Sequence, residues 1–572
     1  MEADQCDGRQ RLHPRKTSYG RSIELSVSHM TYLGIKGKGN ETTTDGGTAR
    51  RHCRTDQCGG WTQVHPPRCS KPLIRHPPRS IPHRPFLACQ DYILLRVSCT
   101  KTYSSPLRRV PGPFLARFTK LWYLRNVWSG SYEKTNIALH KEFGPIVKIA
   151  PDQYSVDDLE AIRIIYGHGT AFVKNSWYYA SGNPDDRVHD LFTDLNPKRH
   201  SELRRKVANL YSMTNLLPLE PFVETCTNLL LDHFERLSQT NEVIDLQHWL
   251  QCYAFDTIGM ITFAKRFGFL DEGKEIGGIF HALHQYVIYG SNVGVYSWLH
   301  PYLFGLYNRL SGGGMGYLIG FTAQNISERH AQPNSEKISE QDGDDFLSKM
   351  LREPEKFQKE VFGTCLTNIG AGSDTTSVSL SGILYHLLRN PTKLALLRAE
   401  LDAARANGHL SPIPTHQQAQ ALPYLQACIK EGLRLHPATG LPMMRVVPAG
   451  GATIAGVFFP AGTEVGVNSW VAHHNKRIFG ADADDYVPER WLQSAERSST
   501  MERYFMAFGA GSRTCIGKNI SLLEIGKLVP ELVVRFDYEL VGEVAREGGL
   551  RTENNWFVKQ TNLKVKVRPR KA

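Results

Sequence analysis

The amino-acid sequence predicts a mainly α-helical protein that carries small β-sheets. Amphipathic stretches with helical spacing, such as residues 132–140 and 221–237, fill most of the chain after its first hundred residues. Strand-like runs are few and short, at residues 146–149, 451–459 and 563–567. Because helical patterns dominate, we expect helices to build the core and the sheets to stay small.

The composition is that of an ordinary folded protein. The chain has 572 residues, of which 41% are hydrophobic and 22% charged, so a disordered, collagen-like or coiled-coil protein is excluded. A mean hydropathy of −0.34 excludes a multi-span membrane protein. A spanning helix needs about 20 mostly apolar residues. The best run, residues 86–97, is shorter and contains Gln90, Asp91 and Arg96, and the amino terminus does not match a signal peptide.

Residues 1–106 differ from the body at residues 107–572. Residues 1–109 carry a net charge of +11 out of +12, six of the 11 cysteines and no sustained helical or strand period. We expect a disordered basic tail or a mis-specified start in place of a membrane anchor, with a basic arm that binds anionic lipid as the alternative. The cysteine spacing of the tail matches no paired zinc site. Since the body is almost neutral, nucleic acid is not an expected partner.

One helix, residues 355–389, is apolar on most sides and is expected to run through the centre of the body. Its middle, residues 370–376, holds two glycines, the acid Asp374 and three hydroxyl side chains. Each glycine costs about 1 kcal/mol relative to alanine in a helix interior. One interpretation is a helix that opens locally around a buried acid–alcohol pair for chemistry. The other is a kink satisfied by its own Ser and Thr side chains.

A glycine-rich loop near the carboxyl end holds a single cysteine. Its fixed positions, just before a predicted helix, are Phe508, Gly511, Arg513, Cys515 and Gly517. The helix N-terminus and Arg513 favour a thiolate there, and the glycines let backbone N–H groups approach the sulfur or a flat cofactor. A lone cysteine is more often a small buried apolar residue, but the ten-residue context favours a metal ligand.

This loop matches every fixed position of Phe-x-x-Gly-x-Arg-x-Cys-x-Gly, and the chain thereby resembles the cytochrome P450 haem-thiolate monooxygenase family. Three more motifs of the family occur in the same order: residues 371–376, Glu431-x-x-Arg434, and Pro-Glu-Arg-Trp around Arg490. The resemblance covers about residues 107–570. It implies the cytochrome P450 fold, with the haem between the long central helix and the cysteine loop.

The resemblance implies an iron ligand and a catalytic group on the central helix. Cys515 would be the proximal thiolate of haem b and would push electron density towards the iron. Asp374 and Thr375 would pass protons to the oxygen that the family activates, and Gly372 would open the helix beside them. Relatives that rearrange peroxides often lack this threonine, so monooxygenation is favoured.

Further charged residues would surround the haem. In the family, Glu431, Arg434 and Arg490 form a buried structural network, whereas an exposed helix salt bridge is the ordinary interpretation of such a pair. Arg513 and Arg445 would bind the haem propionates.

Two more propionate ligands are expected from one helix. His200 and Arg204 lie one turn apart, where many family members have Trp-x-x-x-Arg, and a solvated helix face is the alternative. Phe508, Gly511 and Gly517 complete the expected cofactor-binding set.

Two segments, residues 195–202 and 267–270, look like those of fungal family members similar to pisatin demethylase. The resemblance implies a monooxygenase that hydroxylates or O-demethylates a lipophilic small molecule, such as a terpenoid, polyketide or alkaloid of fungal secondary metabolism. The pocket walls would come from residues 176–190, the middle of the central helix, residues 438–441 and residues 555–557. The alternative is a haem-binding protein without turnover, either a sensor or an inactive copy.

No flavin or nicotinamide domain is recognisable, so electrons are expected from a partner. By resemblance this partner is an NADPH–cytochrome P450 reductase, with cytochrome b5 as a second donor. The same resemblance implies the cytosolic face of the endoplasmic reticulum membrane.

Overall fold

The structure, a computed structural model, describes residues 105–185, 189–310, 314–331, 345–357 and 359–571. The predicted tail at residues 1–106 therefore lies almost wholly outside the described residues, and its properties stay predictions. Within the described ranges, no helix is both long enough and apolar enough to cross a membrane.

Helices form most of the body. Numbered in chain order, the α-helices of the described residues are α1 Leu121–Trp128, α2 Tyr132–Phe143, α3 Leu159–Tyr166, α4 Pro197–Val207, α5 Met213–Leu216, α6 Glu220–Thr240, α7 Leu246–Phe263, α8 Phe269–Glu272, α9 Ile279–Val293, α10 His300–Leu310, α11 Gly314–Ala331, α12 Phe346–Arg352, α13 Pro354–Phe357, α14 Val361–Arg389, α15 Pro391–Ala406, α16 His416–Gln420, α17 Pro423–Leu435, α18 Ser469–His473, α19 Lys476–Phe479, α20 Ala495–Tyr504 and α21 Lys518–Arg535.

The strands are short and form small sheets. Those of the described residues are β1 Ile146–Ala150, β2 Gln153–Val156, β3 Val173–Lys174, β4 Val243–Asp245, β5 Arg445–Val446, β6 Ala452–Ile454, β7 Val457–Phe459, β8 Glu464–Gly466, β9 Phe536–Leu540, β10 Thr552–Asn555, β11 Phe557–Gln560 and β12 Lys564–Pro569. One sheet has five strands in the order β1-β2-β8-β5-β3, with only β2 and β8 parallel. A second has the order β4-β12-β9, and β6–β7 and β10–β11 are antiparallel hairpins.

The predicted mainly α-helical fold with small sheets is confirmed. The expected strands appear as β1, the β6–β7 hairpin and β12. The two-residue strands β3 and β5 were not expected, because so short a strand has no side-chain period and exists only through its pairing.

The long central helix is α14. It packs against α7, α17, α21 and β11, and most of its residues are buried. The predicted helix at residues 355–389 was too long at its start, because α13 is a separate short helix that begins at Pro354. A proline at the first position of a helix favours a new start there.

The expected opening of the central helix at Gly372 was wrong. Helix α14 is continuous from Val361 to Arg389. A Cβ at Gly372 would lie 3.0 Å from Cγ1 of Ile258 on α7, so this glycine allows two helices to pack closely.

Glu431 on α17 lies at the centre of a buried hydrogen-bond network. Its carboxylate accepts two bonds from Arg434, both at 2.8 Å, and one from Arg490 Nε at 2.9 Å. Trp491 Nε1 and the Val487 N–H also donate to it, each at 2.9 Å. The side chains of Glu431 and Arg434 are 0% exposed, so this pair is not a surface salt bridge.

We expect Glu431→Gln to lower the free energy of unfolding by about 3–5 kcal/mol, because Arg434 and Arg490 would stay buried without their counter-charge. Equilibrium denaturation measures the change. The matched control is Glu160→Gln, which removes the exposed partner of Arg163 and should change the free energy by less than about 0.5 kcal/mol. Equal losses in both variants would contradict the structural role of Glu431.

Candidate active site

The cysteine loop closes on itself before α21 begins. The Cys515 N–H donates to the Phe508 carbonyl at 2.9 Å, and the Thr514 N–H donates to the Gly511 carbonyl at 3.1 Å. Gly511 has a φ of +62°, and a Cβ there would lie 1.6 Å from the Tyr166 carbonyl oxygen. Only glycine therefore lets the loop pack against the end of α3.

The Cys515 thiol is solvent-accessible although protein packs around it. Burial raises the pKa of the thiol. The N–H groups of Gly517 and Lys518, at the start of α21, lower this pKa, as do the charges of Arg204 and Lys518. Arg513 was expected to favour the thiolate, but it is not among these groups that lower the pKa of Cys515. Its Nη1 instead donates to the Asp194 carbonyl at 3.2 Å.

The middle of α14 faces a cleft. Ala371 is exposed and Gly370 and Thr375 are half-buried, although the helix runs through the core. A Cβ added to Gly370 would meet no atom within 4 Å. The Thr375 hydroxyl donates to the Ala371 carbonyl at 2.8 Å, which leaves its oxygen lone pairs free to accept.

Helix α21 links this part of α14 to the cysteine loop. The Thr376 hydroxyl donates to Ser521 Oγ at 3.2 Å, and Ser521 lies in the first turn of α21. Thr376 is next to Thr375 in the chain, and α21 directly follows the loop of Cys515. The solvent-accessible residues Thr375 and Cys515 therefore lie on elements that pack together.

Five basic side chains influence one another beside the loop: Lys174, His200, Arg204, Arg445 and Arg513. Burial, followed by the charges of Arg513, Lys174 and Arg204, lowers the pKa of His200 to about 3, so its ring is neutral at pH 7. Burial and the charge of Arg445 lower the pKa of Arg513 to about 10. The same two causes hold the pKa of the Lys174 ammonium well below its ordinary value. These lowered pKa values follow from burial and from the closeness of the basic groups to one another.

The arginines of this cluster donate to neutral oxygens. Arg204 Nη2 bonds the Thr514 carbonyl at 2.8 Å, and Arg445 Nη1 bonds the Met444 carbonyl at 2.9 Å and the Tyr178 hydroxyl at 3.1 Å. Within the described residues, neither forms an ion pair with a carboxylate. His200 is 4% exposed, so the solvated-face interpretation does not hold for it.

Lys174 is absent from the sequence-predicted site. It lies in β3 directly opposite Arg445 in β5, a pairing of strands far apart in the chain. Its Nζ lies 4.6 Å from the centroid of the Tyr178 ring. A lysine in a two-residue strand carries no motif, so only the tertiary fold reveals it.

Comparison with known proteins gives one family for almost the whole body. The family model described as Cytochrome P450 matches residues 110–567. The chain belongs to the cytochrome P450 family. Pisatin demethylase of Fusarium vanettenii is 40% identical over 484 residues, which cover 82% of this chain and 90% of that protein. The cytochrome P450 monooxygenase cicH of Emericella nidulans is 36% identical over 478 residues, or 81% and 94% of the two chains. The monooxygenase pkfB of the same organism is 34% identical over 498 residues, or 85% and 96%.

Cytochrome P450 membership makes the protein a monooxygenase whose haem has a cysteine thiolate ligand. The residues present fit that group. A solvent-accessible thiol lies beside backbone N–H donors, and a glycine-bearing face of α14 leaves open space. The guanidinium groups of Arg204 and Arg445, which form no ion pair with a carboxylate in the described residues, are suitable ligands for carboxylates such as propionates.

Three of the four P450 pocket walls expected from the sequence meet in an aromatic cluster, to which the middle of α14 contributes no residue. The ring centroids of Trp177 and Trp556 are 4.7 Å apart, and Leu441 belongs to the same cluster. Phe192, which was not expected, packs against Trp556 at 5.7 Å. Trp556 has a φ of +86°, a conformation that bulky residues rarely adopt. Residues 186–188 of the expected wall lie outside the described residues.

We expect Gly511→Ala to reduce the haem bound per purified chain to less than about half, because the new Cβ overlaps the Tyr166 carbonyl and displaces the cysteine loop. Haem content and the carbon monoxide difference spectrum of the reduced protein measure this. Gly542→Ala is the matched control, since Gly542 also has a positive φ, +81°, but its Cβ would meet nothing within 4 Å. Full haem content in Gly511→Ala would refute the packing argument.

Proposed function

We propose that this protein uses haem ligated by Cys515 to hydroxylate or O-demethylate a lipophilic small molecule of fungal secondary metabolism. The observation that carries the proposal is the pairing of the accessible Cys515 thiol with the accessible Thr375 face of α14, on elements joined by the Thr376–Ser521 hydrogen bond. When bound, haem supplies the redox chemistry that activates dioxygen.

The loop residues prepare Cys515 for its role. The N–H groups of Gly517 and Lys518 and the Arg204 charge stabilise a thiolate. Phe508 fixes the loop through its carbonyl bond with the Cys515 N–H. Arg204, His200, Arg445 and Arg513 would hold the propionates, with Lys174 as a further cation.

Asp374 and Thr375 would handle protons. The Thr375 hydroxyl is fixed by the Ala371 carbonyl and faces the cleft, where its oxygen can accept a hydrogen bond from a reacting group. Burial raises the pKa of Asp374, while Lys559 and Gln251 lower it, so the carboxyl can hold and release a proton.

The substrate class is supported by the pocket walls and by relatives. Aromatic and apolar side chains such as Trp177 and Trp556 favour a lipophilic molecule with flat surfaces. One relative is named for demethylating pisatin, and two others are named as cytochrome P450 monooxygenases. Pisatin itself is therefore the first probe, followed by a panel of terpenoids, polyketides and alkaloids.

We expect Thr375→Ala to lower product formed per NADPH at least about tenfold and to raise hydrogen peroxide correspondingly, because protons would no longer be delivered in order. NADPH, peroxide and formaldehyde or hydroxylated product are measured together in the reconstituted enzyme. Thr225→Ala is the matched control, since its exposed hydroxyl also donates to the carbonyl four residues earlier, that of Pro221 at 2.9 Å. Unchanged coupling in Thr375→Ala would contradict the assigned role. A wild-type protein with no product from any probe would favour the haem-binding protein without turnover.

Electrons would come from an NADPH–cytochrome P450 reductase, with cytochrome b5 as a second donor. The side of the molecule that carries the cysteine loop is basic. Lys198 and Arg205 on α4 and Lys518 after Cys515 are exposed, and the described residues give them no ion-pair partner. Such a patch complements an acidic electron donor.

The protein would associate with the cytosolic face of the endoplasmic reticulum membrane. An apolar stripe supports this: Trp298, Tyr302, Leu306 and Leu310 follow one another four residues apart and are 67%, 77%, 54% and 76% exposed. Three of the four lie on α10, so they share one face of a helix. A helix with such an exposed apolar face is suited to lie in the membrane interface.

A second group of exposed apolar residues lies near the start of the body. Helix α1, which carries part of it, packs against α9, the helix that precedes the apolar stripe. This group begins just after residues 1–106, which we treat as a segment separate from the catalytic body. It consists of Phe114, Leu115, Leu121 and Trp128.

We expect the pair Leu306→Glu and Leu310→Glu to weaken binding to phosphatidylcholine vesicles at least about tenfold, since each buried leucine contributes 1.5–3 kcal/mol. Vesicle sedimentation of the full chain measures the partition. The control pair is Leu396→Glu and Leu492→Glu, which are also exposed leucines, at 51% and 47%. If binding requires phosphatidylserine, disappears in salt and is unaffected by Leu306→Glu with Leu310→Glu, attachment would instead be assigned to the basic segment at residues 1–106.

A further inference from the structure

A small cavity separates Asp374 from the protein surface. It lies between α9, α14 and the β10–β11 hairpin and is just large enough for a water molecule. Its lining consists of His284, Val287, Asp374, Val378, Glu553, Asn555, Phe557 and Lys559. Polar and charged groups from several elements thus meet at one small space.

Asp374 lies at the inner end of this cavity, and only one of its two carboxyl oxygens accepts a hydrogen bond within the described residues. Its Oδ1 accepts a hydrogen bond of 2.6 Å from Gln251 Nε2, and Gln251 Oε1 accepts one of 2.8 Å from Lys559 Nζ. Within the described residues, no hydrogen bond reaches Oδ2. One oxygen is therefore fixed, while the other is free to take up a proton from the cavity.

The charge of Lys559 also acts on Asp374 through the hydrogen bonds of Gln251. The ammonium of Lys559 polarises the Gln251 amide, which in turn donates to the carboxylate. Burial raises the pKa of Asp374, and Lys559, the Gln251 hydrogen bond and His284 each lower it. The titratable groups that face Asp374 are thus Lys559 from β11, His284 from α9 and, across the cavity, Glu553 from β10. Helix α7 contributes only the neutral Gln251.

The outer end of the cavity reaches solvent. His284 Nε2 lies 3.6 Å from Glu553 Oε1, and their side chains are 31% and 41% exposed. Asn555 Nδ2 donates to the same Glu553 oxygen at 2.7 Å and fixes it. These two titratable groups can exchange protons with bulk water and with a water in the cavity.

We propose that this cavity is the proton inlet of the enzyme, that His284 and Glu553 form its mouth, and that Gln251 and Lys559 are positioning residues which keep Asp374 ready to accept. The proposal rests on the proposed function, because it needs Asp374 to carry protons for the oxygenation.

The proton balance of the step is simple. Insertion of one oxygen atom from dioxygen consumes two electrons, which the reductase supplies, and two protons, and it releases one water. For each proton, an O–H bond of a water molecule in the cavity breaks and an O–H bond forms on Asp374 Oδ2. The mouth residues, His284 and Glu553, then return a proton to that water. Asp374 then gives its proton to the dioxygen that is being reduced beside Thr375 and becomes a carboxylate again, and both delivered protons leave in the released water.

A purely structural alternative assigns the same contacts to fixing the β10–β11 hairpin on α14. Infrared difference spectroscopy of the holoenzyme separates the two roles without turnover. The protonated carboxyl band that Asp374→Asn lacks belongs to Asp374, and its titration gives the pKa of that group. Since Lys559 lowers this pKa, Lys559→Met should move the titration to higher pH, Lys559→Arg should restore it, and Lys564→Met should leave it unchanged. Lys564 is the matched control because it pairs with Asp245 at the surface.

Turnover with pisatin, or with the best substrate of the panel, supplies the second measurement. Lys559→Met, Gln251→Leu and the double variant His284→Gln with Glu553→Gln should each slow product formation about tenfold and raise the solvent deuterium isotope effect, because proton uptake becomes rate-limiting. Glu543→Gln, an exposed carboxylate paired with Arg551, is the matched control for the mouth.

The outcomes distinguish the inlet from the proposed function. Full, coupled turnover by Asp374→Asn would refute the role of Asp374 and the inlet with it. Slow turnover by Asp374→Asn, with normal rates and isotope effects in the mouth variants, would refute only the inlet. An unmoved Asp374 titration in Lys559→Met would refute the positioning role.

Discussion

The buried carboxylate of Glu431 is the interaction on which the catalytic half of the molecule depends. It holds two guanidinium groups, and these donate further to backbone carbonyls: Arg434 to those of His473, Ala483 and Asp485, and Arg490 to that of Asp482. One negative charge thus fixes α17 and the segment of turns and short helices between residues 473 and 490. Such a segment lacks the continuous hydrogen bonds of a long helix or a sheet, so its remaining carbonyls need partners of this kind when they are buried.

His473 connects the Glu431 network to the cysteine loop by hydrogen bonds. Its Nδ1 bonds the Arg434 carbonyl at 2.9 Å, and its Nε2 accepts from the Met506 N–H at 2.8 Å. Because Nε2 accepts, the proton must be on Nδ1, and burial with the charge of Arg434 lowers the pKa of His473 to about 3, so the ring stays neutral. A neutral histidine of defined tautomer therefore joins the Glu431 network to the segment that leads into Phe508 and Cys515.

The sequence predicts those parts of the site whose residues are neighbours in the chain. The cysteine loop, the Glu431–Arg434 pair and the hydroxyl-rich middle of α14 are each one short motif, and each can be recognised from spacing. Lys174, Gln251 and Lys559 could not be, because their partners are distant: Gln251 and Asp374 are 123 positions apart, and Gln251 and Lys559 are 308 apart. Gly372 was misjudged for the same reason, since the side chain it accommodates, Ile258, belongs to another helix.

Three buried carboxyl groups show how hydrogen bonding decides what a buried acid can do. Glu431 has both oxygens occupied by charged donors, so it is a fixed structural anion. Glu524 has no hydrogen-bond partner on either oxygen among the described residues, and burial raises its pKa well above the ordinary value, which favours the neutral form. Asp374 lies between these extremes, with one oxygen held by Gln251 and the residue lining a cavity. Burial raises the pKa of Asp374 while Lys559 and Gln251 lower it, and the cavity offers a path to water. A group that must gain and lose a proton in every cycle needs both.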